Sequence, residues 1–401
     1  MQNPEQSVET MKNTLKDLAI LATAVIGSTL LIWAPFILRI KSFWGLEYPQ
    51  TGLETIWRNF DGLNYIAVAK SLYNPQILQD QFSSLGLSPI YFASHFPVYP
   101  VLISSFAPLF GFLNSMLFVT VLFTVLSTWM FYLLVRDFKL TSDPLWLSLV
   151  FLALPARWVV VRSVGAPEPV FIFLLLATFY FLRKNWYLLS GLATAAAVLV
   201  RSPGTILWLA ATLSTFGPWL ASLVKRPTRF HQGYGGQVQF PWRGLAFVAG
   251  PIAALGLFWF YKVAYGDFLA YFHSGDNIHL TLPPWPVFNS AQFWVGTFWL
   301  ENIIYVYILM AAATIILWKK KLYDLAIFVG IYFLAASLVA HLDIGRYTIP
   351  AAPLVLIAFE KWINTREFKI VLAILLIPIY LFTQNFLLGN ISPVVDFTPF
   401  R

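Results

Sequence analysis

Long apolar runs alternate with short polar breaks along nearly the whole chain, a pattern that predicts a bundle of membrane-crossing helices. The first run covers 18–38, behind a short polar arm with Lys12 and Lys16, and Arg39, Lys41, Phe43 and Trp44 follow it as interface residues would. No small-residue cleavage site follows, so the run reads as a retained span. Further spans are predicted at 115–135, 145–161, 170–182, 186–200, 205–224, 244–263, 294–318, 323–340, 348–359 and 370–388, about eleven in all.

Two stretches depart from this pattern, and both lie in a first outward loop predicted over 39–113. The sequence HFPVYPVLISSFAPLFGF, from His95, holds only about 15 apolar residues and is interrupted by prolines, so it predicts a re-entrant or interfacial helix on the outer face. The sequence WRNFDGLNYIAVAKSLY, from Trp57, is polar and carries an acid. Tyr65, Ile66, Val68, Ala69 and Leu72 recur at helical spacing after Asp61 and Gly62, which predicts a short interfacial amphipathic helix with Asp61 near its start. The plain alternative is that Asp61 serves only as an N-terminal helix residue favoured by the helix dipole.

Composition excludes a soluble domain: 59% of the 401 residues are hydrophobic and 11% are charged, where about a quarter is usual. The expected class is an all-α polytopic membrane protein of one domain, 1–401, since no soluble stretch is long enough for a second core. The formal net charge of +8 then records topology. If 96–112 does not cross, the clusters Arg183-Lys184, Lys225-Arg226 and Lys319 to Lys321 join Lys12 and Lys16 on the cytoplasmic side. Asp61, Glu168, Asp267, Asp276 and Asp343 fall on the other, and the chain starts inside and ends outside. No basic run with interleaved aromatics stands apart from the spans, so nucleic acid is not an expected partner. The absence of cysteine removes thiolate chemistry and disulfides. There is no sustained repeat, and HQGYGGQVQ at 231–239 reads as a flexible connector because no strand-to-helix context makes its glycines a nucleotide loop.

The outward side gathers ionisable residues, each costing about 2.5 to 3.5 kcal/mol at membrane depth unless it faces a cavity or a partner. Arg201 opens RSPG and Arg346 lies in DIGRYTIP, both at span ends, where a fixed guanidinium suits a lipid-linked phosphate; snorkelling to headgroups is the alternative. His95 is a candidate contact to a phosphate or an acceptor, or else a satisfied interfacial histidine. Glu168, held between Pro167 and Pro169, is a candidate second carboxylate or an ion-pair partner for Arg162. Tyr65 and Tyr347 are candidate acceptor contacts beside Asp61 and Arg346. His273, Asp276 and His279 have a metal-like spacing, but in a loop they read better as solvated residues, and no metal or other cofactor is expected.

In order, NFDGLNYIAVAKSLY, HFPVYPVLI, VGAPEPVF, VLVRSPG and GRYTIPAAPL cover most of the chain, and this set resembles the integral membrane GT-C glycosyltransferases. Within them it is most similar to the family of the second mannosyltransferase of glycosylphosphatidylinositol assembly and its prokaryotic relatives. The resemblance implies a polyprenyl-phosphate-linked sugar donor, such as a mannose donor, and a catalytic acid in the first outward loop, where Asp61 stands. Phe60 replaces the tryptophan that often precedes that acid, and Ala166-Pro167 replaces a tyrosine-serine pair before the glutamate.

The chemistry fits the residues. An acceptor hydroxyl attacking an anomeric carbon needs a base, which Asp61 supplies, while a phosphate leaving group needs no second acid. Arg201 and Arg346 would steady the departing phosphate. Inversion is implied by the resemblance. The acceptor stays open between a glycolipid, a polymer and a protein. The competing readings are a transporter or flippase for a lipid-linked or soluble substrate, and a non-catalytic scaffold. Against the transporter stand the lack of an inverted repeat and the one-sided placement of polar residues.

Overall fold

A computed structural model describes residues 4–224, 239–275, 280–292, 299–341 and 343–401. Among these the regular secondary structure is almost all helix, the one sheet being the two-residue pair Ser42–Phe43 and Leu46–Glu47. Six helices among the described residues are long and apolar enough to cross a membrane: Met11–Ile37, Val98–Asp137, Gly204–Leu223, Trp242–Tyr265, Leu300–Lys319 and Arg366–Gly389. The chain is an all-α, multi-pass membrane protein.

Several predicted spans are shorter or broken, and proline accounts for two of them. The predicted 145–161 span divides into Pro144–Ala153 and Ala156–Val161. Leu154 leaves the helix at φ −128°, ψ 139°, because the ring of Pro155 crowds a helical residue before it. The predicted 348–359 span is a 3-10 turn at Ile349–Ala351 followed by Ala352–Ala358, with Pro350 and Pro353 each in the first turn of its element. The 96–112 segment is helical as expected, yet it runs into the next helix without a loop. Gly111, at φ 72°, ψ 160°, breaks the Val98–Asp137 helix in a conformation that glycine alone adopts readily, so the first part forms an arm ahead of the longer one.

The first loop differs from its prediction in one respect that matters for the site. Gly62–Ser71 is a helix with Asp61 just before it, as expected, but it is buried on most sides instead of lying amphipathically at an interface. One cover is the Val98–Asp137 helix. Another is the C-terminal stretch: the Lys70 ammonium donates to the carbonyls of Pro399 (2.7 Å) and Arg401 (2.8 Å). Phe397 packs edge-on against Trp57, and Phe400 lies against Phe82. The backbone N–H of Ser392 donates to the Arg58 carbonyl at 2.8 Å, and the Arg58 guanidinium donates to the Val394 carbonyl at 2.9 Å. Asn59, fully buried, donates to the carbonyls of Thr55 and Leu387.

On the other flank, Glu168–Arg183 packs between Val98–Asp137 and Tyr187–Val198. Two glycines let the two acid-bearing segments sit on one side chain. A Cβ at Gly62 would come within 2.9 Å of the Met116 sulfur, and one at Gly165 would overlap it. The chain next to Asp61 and the chain three residues before Glu168 thus both pack on Met116 because glycine stands at each point of contact.

Candidate functional site

Asp61 is presented by a left-handed turn. Phe60 has φ +49°, a conformation that costs a non-glycine residue about 1 kcal/mol, and the Asp61 side chain makes no hydrogen bond to the helix that follows it. A capping role therefore does not account for this carboxylate. Its Oδ2 instead accepts a hydrogen bond from Nη1 of Arg346 at 3.2 Å.

Arg346 stands on the short helix Ile344–Tyr347, which follows Asp343, and is the hub of the cluster. Its Nε donates to Oε1 of Glu168 at 2.7 Å, and its guanidinium lies over the Phe60 ring, 4.2 Å from the centroid. Nη1 of Arg201 reaches the same Glu168 oxygen at 2.7 Å. Glu168, with no exposed side-chain surface, is thus committed to two arginines, while the Asp61 side chain is 36% exposed. A third guanidinium, Arg157, pairs with Asp343 at 3.1 Å and lies 3.9 Å over the Phe386 ring. Phe386 stacks on Phe60 at 5.5 Å.

The electrostatics of the loop acids follow from these partners. Burial by itself would raise the Asp61 carboxyl, but the Arg346 guanidinium, with His95 and Arg201, overrides it and holds the pKa below the ordinary carboxylate range. Asp61 is an anion at neutral pH. At Asp343 burial prevails over Arg157 and Arg346, and the carboxyl is pushed up.

His95 is 2% exposed, its Nδ1 3.0 Å from the Ser94 hydroxyl and its ring edge-on to Tyr65 at 4.8 Å. Tyr65 in turn meets Tyr99 edge-on at 5.0 Å. Tyr347 packs against His341 at 4.8 Å, and its carbonyl accepts from the Tyr332 hydroxyl at 2.7 Å, which ties the Arg346 segment to the Tyr323–Ser337 helix. Beside Arg201 and Tyr347 opens an apolar cavity of about 710 Å³, with Phe258, Ile331, Tyr332 and Leu334 among its walls.

No family model matches the chain. No curated protein matches it either.

Of the residues singled out in the sequence, Asp61, Glu168, Arg201 and Arg346 form one ion-paired cluster, with Tyr65, His95 and Tyr347 around it. The pairing of Glu168 with Arg162 does not occur. Arg162 is 2% exposed and donates instead to Ser28, Thr29 and the Leu152 carbonyl, at 3.0, 3.3 and 3.1 Å, because the Ala156–Val161 helix turns it toward the first helix. His273 pairs with Asp267 at 2.6 Å. Asp276 and His279 lie outside the described residues, as do residues 231–238 of the Gly-rich connector. Phe60, Phe386 and Tyr332 belong to the site and were not foreseen. Phe60 had a signal in its place beside Asp61, whereas Phe386 is one aromatic among many in an apolar helix.

Three guanidiniums and three carboxylates, counting Arg157 with Asp343, balance one another in this cluster. The balance divides the roles. Glu168 and Asp343 anchor arginines, and Asp61 is left as the most exposed of the three carboxylates.

Proposed function

We propose that this chain is a glycosyltransferase that moves a hexose, mannose by its resemblance, from a polyprenyl-phosphate-linked donor to an acceptor hydroxyl on the non-cytoplasmic face. The observation that carries the reading is the 3.2 Å pair between the accessible Asp61 carboxylate and Arg346, joined through Glu168 to Arg201, which lines a large apolar cavity. Base, anion-binding groups and a place for a hydrocarbon chain then lie side by side.

In the reaction, the acceptor oxygen bonds to the anomeric carbon as the bond from that carbon to the phosphate oxygen breaks. The hydroxyl proton passes to Asp61, and the electron pair of the broken bond leaves with the lipid phosphate. Direct displacement inverts the anomeric centre. Arg346 and Arg201 offset the charge gathering on the departing phosphate, and such donors are typically worth about 10²- to 10³-fold in rate. Partners are membrane lipid, the lipid-linked donor and an acceptor of the glycolipid, polymer or protein class. The N-terminus is cytoplasmic in this reading.

The test is transfer of radiolabelled mannose from polyprenyl phosphate mannose into membrane extract, comparing wild type with Asp61→Asn at matched expression. Label incorporated by the wild type and lost in the variant supports the proposal. Equal transfer by both would make Asp61 structural, and no transfer by a folded wild type would favour the transporter reading.

A further inference from the structure

Arg346 cannot swing freely. Only 8% of it is exposed, its Nε is tied to Glu168 at 2.7 Å, one face is covered by Phe60, and its backbone N–H is bonded to the Asp343 carbonyl at 2.9 Å. The contact to Asp61 is the looser of its two acid contacts, 3.2 Å against 2.7 Å, and it involves the more exposed acid. Among the described residues Arg346 is the one hydrogen-bond donor to the Asp61 carboxylate. Arg201, the other guanidinium beside the cavity, already has its Nη1 on Glu168.

An anion that passes beyond Arg201 on the cavity wall and reaches Arg346 therefore meets a guanidinium whose Nη1 is already held by a carboxylate. From this geometry we infer that Asp61 and the donor's phosphate compete for Arg346, so that the donor binds first and its arrival releases Asp61 to act as base. The inference rests on the reading of the site as a lipid-phosphate site. Without donor, Asp61 stays paired with the guanidinium and an acceptor hydroxyl finds a poor proton acceptor. With donor, the phosphate neutralises the guanidinium, and a carboxylate freed from a cation and placed beside an anion binds a proton more readily. The base is thus strengthened only when there is a sugar to transfer.

Competition makes an unusual prediction: a substitution that abolishes transfer should improve binding. The experiment is titration of the purified protein in detergent with polyprenyl phosphate, the donor's leaving group without its sugar. The Asp61→Asn variant removes the competing charge, and Asp61→Ser does so with a smaller side chain, which keeps the comparison available if one of the two does not fold. We expect both to bind polyprenyl phosphate at least about fivefold more tightly than wild type. Equal or weaker binding by the folded variants overturns the competition while leaving the lipid-phosphate site standing. Failure of the folded wild type and both variants to bind would overturn the lipid-phosphate reading itself, and the inference with it.

Discussion

Phe60 and Phe386 stack at 5.5 Å between two arginines, Arg346 lying over the first ring and Arg157 over the second. Arg157 then pairs with Asp343, the residue before the short helix that bears Arg346, so the contacts close into a ring. The last long helix is by this route part of the site's wall, although it contributes no ionised group to the cluster.

Breaking the stack while keeping an apolar side chain should therefore loosen Arg346 without emptying the core. Phe386→Leu is expected to lower stability by about 1 to 2 kcal/mol, the combined scale of an aromatic pair and a desolvated cation–ring contact. Chemical denaturation in detergent measures the first effect. Transfer rate at saturating donor, expected to fall further than stability alone explains, measures the second.

Arg346→Lys keeps the charge but not the fork. One ammonium does not reproduce the fixed pair of contacts to Glu168 and Asp61, and transfer should fall by about 10²-fold or more. Glu168→Gln acts on stability instead. It leaves Arg201 and Arg346 buried with their shared anion removed, and a loss of about 3 to 5 kcal/mol is expected in thermal unfolding.

The pH response follows from the depressed Asp61 carboxyl. A carboxylate whose folded pKa lies below its unfolded value of about 3.9 contributes stability that is fully present above that value and is lost as pH falls through the folded pKa. In the free enzyme, protonation of Asp61 should not limit kcat/KM for the donor through mildly acidic pH, the acid limb of that parameter falling below the ordinary carboxylate range. An acid limb near pH 6 would remove Asp61 as the base of the free enzyme.

Gly165→Ala places a methyl group against the Met116 side chain and should push the segment before Glu168 outward, at a cost of about 1 to 3 kcal/mol. Because the obstacle is the flexible end of a methionine, Met116→Ala in the same chain should restore part of that loss. A double-mutant cycle on unfolding free energy reads the coupling directly.

The sequence made the class of the protein legible because its apolar runs report burial in lipid without reference to any partner segment. It also brought out Asp61, Glu168, Arg201 and Arg346, since charges beside apolar spans stand out against their surroundings. What it did not convey was who pairs with whom. Arg162 is close to Glu168 along the chain yet turns to the first helix, and the partner of Asp61 is 285 residues away. The buried state of Gly62–Ser71 was equally hidden, because the C-terminal stretch that covers it is not announced by the helix's own pattern. Helix breaks at Leu154 and Gly111 had local signals in Pro155 and in glycine itself, but a single proline or glycine is compatible with either a kink or a full break.

The contacts of Arg58, Asn59 and Lys70 with residues 387–401 give the site a direction in time. A chain still emerging during synthesis would already hold all six ionised residues of the cluster, yet the loop carrying Asp61 would stay open to solvent and protease until residues 387–401 arrived. Deleting 391–401 should expose that loop to limited proteolysis near Arg58, and an unchanged cleavage pattern would count against this order. The membrane would then contain arginines and acid together, but not the covered arrangement described above, until residues 387–401 had been made.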